Sequence, residues 1–188
     1  LKSGESADNI AIIASKHKYV APLLPYLKAR EINVSYEKKS NLLEDAKIHE
    51  LVVIATFCSE LANEQQPSHR LLEILSFPFL EVPAITAIQA IHRAHESKKS
   101  ALDYLLEGGN EKLKGIADWL AKLALASFEA PLELWFDYLT GAAEIPGCSF
   151  HSPYLEYYEK QSTPVEKFEF YENLNALKNT VVSHTKAQ

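Results

Sequence analysis

Apolar residues recur every three or four positions through most of the chain, and this spacing predicts a mainly helical protein. The predicted helix at residues 44–63 is apolar on almost every side, which is typical of a helix inside a bundle. Helical spacing continues as far as residue 139. Residues 141–153 are rich in proline and glycine, so we expect them to form a packed surface loop. Counted along the chain, the pattern predicts about eight helices.

One of these helices is predicted to begin near Pro83. Its three isoleucines, Ile85, Ile88 and Ile91, share one face at helical spacing. We expect that face, together with His92, to point into the core.

The clearest local signal lies at residues 163–166, which read TPVE. The threonine hydroxyl can cap a helix, proline fits the first helical position, and the glutamate completes a capping box. A long helix is therefore predicted from Pro164 to about His184. Its apolar face is expected to consist of Val165, Phe168, Tyr171, Leu174, Leu177 and Val181.

A shorter helix is predicted just before the long one. It starts by the same chemistry at Ser152-Pro153. Tyr154, Leu155 and Tyr158 form its apolar side.

The first forty residues differ from the rest, because they contain two short apolar runs of the kind found in buried strands. Residues 9–14 read NIAIIA and residues 31–36 read EINVSY, with a helical stretch between them. This order predicts a β–α–β unit with a right-handed crossover. The fold class predicted overall is mainly α, with a small two-strand α/β edge at the N-terminus.

Composition narrows the class of protein. The chain has 188 residues, of which 47% are hydrophobic and 23% charged, as in a soluble globular domain. No apolar run is long enough to cross a bilayer and no secretory signal is evident, so we expect an intracellular, cytoplasmic protein without a membrane partner. Two cysteines, Cys58 and Cys148, give no disulfide framework and are expected to be structural thiols. The net charge of −6 means that any contact with DNA must be local.

Both ends of the chain resemble UvrD/Rep/PcrA-type superfamily 1 DNA helicases. Residues 154–157 read YLEY and residues 172–177 read ENLNAL, which is similar to the family's "GYLEYL" helix and the "ENL..L" helix that follows it. Here Pro153 stands at the glycine position. Near the N-terminus, residues 10–13 read IAII and resemble the family strand "IAVL.R", although Ser15 and Lys16 take the place of its arginine. Residues 31–36 and 41–43 match the family's next strand and its "LL" turn.

The resemblance implies that the chain is part of an ATP-dependent DNA helicase of repair or recombination. Residues 1–43 would be the edge of the second motor domain, residues 44–184 a helical accessory insertion, and residues 185–188 the return to the motor. The implied partners are DNA, through the parent protein, the remaining motor domains and other repair proteins. ATP and Mg²⁺ are implied for the parent protein. The 188 residues contain no G-x-x-x-x-G-K-[ST] loop, so we expect this segment to hold no cofactor, to contain no catalytic residue and not to hydrolyse ATP alone.

Four lysines are the candidate DNA-binding residues of this segment: Lys16, Lys18, Lys38 and Lys39. They lie near the predicted sheet edge, where a small basic patch could contact phosphate. A solvated surface is the alternative interpretation.

Other side chains invite a functional interpretation beside a structural one. His92 and His95 are three residues apart with Glu96 beside them, so their nitrogens could bind a metal from one face of a helix. No third ligand is evident. One buried and one solvated histidine is the simpler interpretation. Trp119 and Trp135 with Phe136 could stack on bases, yet their positions on apolar helix faces favour core packing.

One family element can be compared position by position. Helicases of this type often read "PPRGIG..T" where backbone N–H groups approach duplex phosphates. Pro78 and Thr86 keep that frame, but Glu81 and Pro83 stand at the two glycine positions. The carboxylate of Glu81 and the missing N–H of Pro83 both oppose phosphate binding. In this respect the segment resembles the divergent AddA/RecB-like branch of the family.

Two other classes of protein stay open. One is a stand-alone helical protein-interaction module, which the helix content and net acidity favour. The other is a small α/β enzyme with its site at the strand ends, although no nucleophile, paired-carboxylate or metal constellation can be assembled from the sequence.

Overall fold

The computed structural model describes residues 10–14, 19, 23, 26–27, 29–30, 32 and 42–185. The chain divides into two units, Leu1–Ser40 and Asn41–Gln188. The second unit is helical, which confirms the mainly α prediction. Within the described part of the chain there are eight α-helices: α1 (Ala46–Ala62), α2 (Ser68–Leu75), α3 (Ala84–Glu96), α4 (Ala101–Glu107), α5 (Glu111–Glu129), α6 (Leu132–Thr140), α7 (Tyr154–Gln161) and α8 (Pro164–Thr185). No helix among the described residues is both long and apolar enough to cross a membrane.

Helix α5 lies at the centre of the second unit and contacts α1, α4 and α6. Its apolar residues recur on one broad face, so they can bury against several neighbours at once. Trp119 is its largest fully buried side chain and lies against Phe150 of the loop that follows α6, with ring centroids 5.7 Å apart. That contact packs the surface loop against the core, as predicted for residues 141–153.

Helix α1 is buried around most of its circumference, as its sequence predicts. Ile48, Ile54 and Phe57 are almost wholly inaccessible to solvent. The helix begins after Asp45, whose carboxylate accepts hydrogen bonds from the backbone N–H groups of Lys47 and Ile48 at 2.8 and 3.4 Å. A side-chain cap of this kind satisfies donors that the first turn of a helix leaves open.

The two-strand edge predicted at the N-terminus is not supported. Residues 10–14 form no strand, and Ile13 is 92% exposed. Of the second predicted strand only Ile32 is described, and it lies outside any strand; residues 31 and 33–36 are not among the described residues. A strand needs neighbours that pair with its backbone donors and acceptors, and a short apolar run does not itself supply them.

The buried face of α3 also differs from the prediction. Ala87, Ala90 and Ala94 point into the core. Ile85 and Ile88 are 62% and 53% exposed, and His92 is exposed as well. Alanine lets α3 lie close against its neighbours α2 and α4, which leaves Ile85 and Ile88 outside. Ile91 is partly buried and packs against the core, as predicted.

Helix α8 begins at Pro164 as predicted, and its capping box is present. Thr163 N–H donates to Glu166 Oε2 at 2.8 Å, and Glu166 N–H donates to Thr163 Oγ1 at 3.4 Å. The apolar face is only partly as expected: Leu174 is buried, but Phe168 is 65% exposed, and Phe170 is buried in its place. Residues 170, 174, 177 and 181 form a continuous stripe of spacing four, three and four, whereas residue 168 lies on the opposite side.

Candidate functional site

Residues of α7 and α8 meet the start of α1. We call this contact the junction, and it consists of Asp45, Lys47, Glu50, Tyr154, Tyr158, Phe170 and Asn173. The polar residues come from opposite ends of the helical unit, since the hydrogen bonds that join the start of α1 to α7 and α8 connect residues more than a hundred positions apart. The junction is therefore the point where the first helix of the unit is tied to the last two.

Two tyrosine hydroxyls of α7 provide the central contacts. Tyr154 Oη donates to the carbonyl oxygen of Lys47 at 2.8 Å, and Tyr158 Oη donates to Glu50 Oε2 at 2.7 Å. The tyrosines are four residues apart, so they lie on one face of α7, and their rings meet edge to face at 5.1 Å. Both rings are buried, and each hydroxyl finds a partner on α1.

The third hydrogen bond comes from α8. Asn173 Nδ2 donates to Asp45 Oδ2 at 2.9 Å, while the other carboxylate oxygen of Asp45 caps α1. One carboxylate therefore both starts α1 and holds α8 beside it.

The ammonium group of Lys47 completes the junction. Its Nζ lies 5.0 Å from the ring centroids of both Tyr158 and Phe170, which is within cation–π range. The same Nζ is 3.4 Å from the hydroxyl oxygen of Ser162, in the short link between α7 and α8.

Burial sets the electrostatics of the junction. Desolvation raises the pKa of Glu50, with a further increase from nearby Asp45, while the hydrogen bond from Tyr158 and the charge of Lys47 oppose the shift. Desolvation also raises the pKa of both Tyr154 and Tyr158, and the carboxylate of Glu50 adds to the shift of each. The two tyrosines are therefore hydrogen-bond donors at neutral pH, which suits a structural joint better than proton transfer.

The four lysines predicted to contact DNA, at positions 16, 18, 38 and 39, lie outside the described residues. Their placement stays a prediction.

The aromatic residues weighed as base-stacking candidates belong to the core. Trp119, Trp135 and Phe136 are all buried. The indole N–H of Trp135 donates to the carbonyl oxygen of Leu123 at 2.8 Å, which fixes α6 against α5. The core-packing interpretation of these three residues is confirmed.

Both histidines on α3 are exposed, so the interpretation of one buried and one solvated histidine is wrong. His92 Nδ1 is 3.6 Å from Glu96 Oε2, one turn further along the helix. Across residues 42–185 and the few described before them, no group of three or more His, Cys, Asp or Glu side chains could hold a metal.

The element compared with the family's phosphate-binding turn is a tight bend between two helices. Pro78–Leu80 form a short 3-10 helix, and Glu81 follows in the left-handed conformation, with φ 49°. Lys112 Nζ donates to the carbonyl oxygen of Glu81 at 2.9 Å. Pro83 precedes α3, and its carbonyl oxygen accepts from Thr86 N–H at 2.9 Å. The Glu81 side chain is therefore exposed, whereas its carbonyl oxygen is taken up by the hydrogen bond from Lys112.

Both cysteines are free thiols. Cys58 is buried in α1, and burial raises the pKa of its thiol to about 12. Desolvation likewise raises the pKa of Cys148, whose Sγ lies 3.5 Å from Asp118 Oδ2. A raised thiol pKa lowers the thiolate fraction, so neither position has the environment of a reactive cysteine.

Comparison with protein-family models, with curated proteins and with solved structures found no match to this chain.

Sequence reasoning identified one half of the junction and missed the other. Tyr154 and Tyr158 lie on the predicted apolar side of α7, but the sequence pattern singles out neither their acceptors on Lys47 and Glu50 nor Asp45, the acceptor of Asn173. The available signal was the charge of Glu50, which lies between apolar positions of a helix that is buried almost all round.

Proposed function

We propose that this chain is the accessory region of an ATP-dependent superfamily 1 DNA helicase that acts in repair or recombination. Its role is mechanical. It pivots against the motor and steers duplex DNA or partner proteins, while ATP and Mg²⁺ are bound by other parts of the parent protein.

The junction is the observation that carries this proposal. The residues that resemble the family signature, YLEY at 154–157 and ENL at 172–174, include Tyr154 and Asn173, which bind the start of α1. The chain enters the helical unit at Asp45, and its last helix passes the same point at Asn173. The residues that carry the resemblance therefore hold the start of the helical unit against its last two helices.

The backbone of Glu81 gives separate support. This residue stands where the family pattern has its first glycine, and it has a positive φ of 49°. Glycine reaches that region without strain, whereas other residues do so at a cost. The bend therefore has, where the family pattern has glycine, a backbone conformation that glycine favours.

A strand-separation assay on the intact native polypeptide tests the proposal. We expect ATP-dependent unwinding of a partial duplex. The double variant Asp45→Ala/Asn173→Ala, which loosens the junction, should change the unwinding rate more than it changes ATP hydrolysis on single-stranded DNA. Absence of ATP-dependent unwinding by the native polypeptide would remove the proposal and favour a helical interaction module.

A further inference from the structure

A cavity of about 140 Å³ opens between α3, α4 and the start of α5. Thr86, Gln89 and Arg93 of α3 line it, and their spacing of three and four residues places them on one side of that helix. Tyr104 of α4 and Asn110, the residue before α5, line the rest of its polar surface. We call this space the α3–α5 cavity. Polar side chains from three separate parts of the chain therefore border one opening.

The floor of the α3–α5 cavity is apolar. Ala90, Leu105 and Leu113 line it and are buried, so its inner end reaches the hydrophobic core. Its volume of about 140 Å³ has room for several water molecules, each of which takes about 30 Å³ in the liquid. A concave space with an apolar floor and a few polar groups is the usual form of a small-molecule site.

The polar side chains of the cavity carry donors that have no partner in the protein. Within the described part of the chain, no hydrogen bond or ion pair is made by the side chains of Thr86, Gln89, Arg93 and Tyr104. Asn110 uses its Oδ1 to accept from a backbone N–H of α5 at 3.1 Å, and its amide NH₂ group is not used. Hydroxyl, amide and guanidinium donors of the cavity can therefore all bind the same ligand.

The charge of the cavity selects an anion. Among the described residues that line it, Arg93 is the charged one, and none is Asp or Glu. The acids that flank it in sequence are engaged elsewhere: Glu96 lies 3.6 Å from the ring of His92, and Glu107 pairs with a lysine. Glu111 lines a different cavity. A guanidinium group without a carboxylate partner is suited to the paired oxygens of a carboxylate or phosphate, which it binds through parallel N–H···O bonds.

We propose that the α3–α5 cavity binds a small organic oxyanion, a phosphate or carboxylate group joined to an apolar moiety. Arg93 binds two oxygens of the anion, Gln89 and Tyr104 donate to its oxygens, and the apolar moiety covers the floor at Leu105 and Leu113. A DNA backbone would leave that floor uncovered, and the net charge of −6 disfavours a polyanion. This inference is independent of the helicase proposal, since it uses only the lining and charge of the cavity.

The test is an NMR titration of the ¹⁵N-labelled 188-residue chain at neutral pH with phenyl phosphate and, separately, with benzoate. Gly108 and Gly109 line the cavity, so their amide signals report on its occupancy. We expect at least one of the two anions to shift these signals in a saturable way. Benzyl alcohol, which has the ring but no charge, should bind at least about tenfold more weakly, because it offers the guanidinium no anionic oxygens. Inorganic phosphate, which has no apolar part, should also bind more weakly than phenyl phosphate.

Variants of the chain test the role of Arg93. Arg93→Gln removes the guanidinium and should weaken the anion by at least about tenfold, whereas Arg93→Lys keeps the charge without the fork and should weaken it less. Lys98→Gln is the matched control, because it removes an exposed cation just beyond α3 that does not line the cavity. It should leave binding unchanged. Both positions are exposed, so circular dichroism should show the same helix content in all variants.

The two probes also distinguish the anions. Saturation by phenyl phosphate alone would identify a phosphate site, and saturation by benzoate alone a carboxylate site; either supports the inference. Four results would overturn it. They are no saturable shift with either anion, equal binding of benzyl alcohol, an effect of Arg93→Gln no larger than that of Lys98→Gln, and displacement of the bound anion by a short DNA duplex, which would make the cavity a nucleic-acid contact.

Discussion

Tyr158 Oη donates a 2.7 Å hydrogen bond to Glu50 Oε2, across a sequence separation of 108 residues. Both side chains are buried, so neither has water as a ready substitute partner. Tyr158→Phe removes the donor and leaves a buried carboxylate without it. We expect this variant to lower the free energy of unfolding of the chain by about 1–3 kcal/mol, measured by urea denaturation at neutral pH.

The neighbouring tyrosine provides the control. Tyr157 is partly buried in the same helix and has no hydroxyl hydrogen bond among the described residues. Tyr157→Phe should therefore change the free energy of unfolding by less than about 0.5 kcal/mol. Equal losses in the two variants would contradict the role given to the Tyr158 hydroxyl.

Glu50 should make stability depend on pH. Desolvation raises its pKa in the folded chain above the ordinary value of 4.5, so between those two pKa values the folded state binds more protons than the unfolded state. The contribution of Glu50 is therefore most favourable below about pH 4.5 and falls as pH rises through the folded pKa.

Glu50→Gln isolates this effect, because the amide keeps an oxygen that can accept from Tyr158 but has no charge. The free energy of unfolding of the native chain, relative to that of Glu50→Gln, should fall as pH rises from 4.5 toward neutrality. A difference that stays constant over this range would show that the pKa of Glu50 is the same in both states.

The contact between Asp45 and Asn173 can be measured by a double-mutant cycle. Asp45→Ala removes both the α1 cap and the acceptor of Asn173, and we expect a loss of about 1–2 kcal/mol. Asn173→Ala removes only the donor. Unfolding of the two single variants and the double variant should give a coupling energy of about 0.5–1.5 kcal/mol. Additive losses would mean that the two side chains do not stabilise each other.

Gly141 ends α6 with φ +84°, and a Cβ atom at this position would overlap the carbonyl oxygen of Ser152. Gly147 has a similar φ of +72° but open space around it. Gly147→Ala should cost about 1–2 kcal/mol from the left-handed conformation alone. Gly141→Ala should cost about 1–3 kcal/mol more, because Ser152 is fixed by its hydrogen bond to Leu139. Thermal unfolding of the two variants distinguishes these cases, and equal shifts would contradict the close approach.

Periodicity predicted most helices but could not choose between two apolar faces. On α3 the isoleucines have helical spacing and so do the alanines, and the close approach of neighbouring helices favours the smaller set. On α8 Phe168 and Phe170 are both apolar, and Phe170 is the one whose ring lies against Tyr154 and Tyr158 of α7. Tertiary packing decides which of the two faces is buried, and a short stretch of sequence holds no information about that packing.

The same limit applies to the junction. The ring faces of Tyr154 and Tyr158 follow from helical spacing, but their acceptors are more than a hundred residues away in sequence. A charged residue such as Glu50 can be buried only beside a suitable partner, and a single sequence does not show which distant residue that partner is. The run at residues 10–14 failed as a predicted strand because strand formation also depends on distant partners.

ATP hydrolysis, with and without single-stranded DNA, tests the central claim most directly when the intact native polypeptide and the 188-residue chain are compared. The account predicts DNA-stimulated hydrolysis by the native polypeptide and none by the 188-residue chain. Hydrolysis by the 188-residue chain alone, or a native polypeptide whose hydrolysis does not respond to DNA, would contradict it.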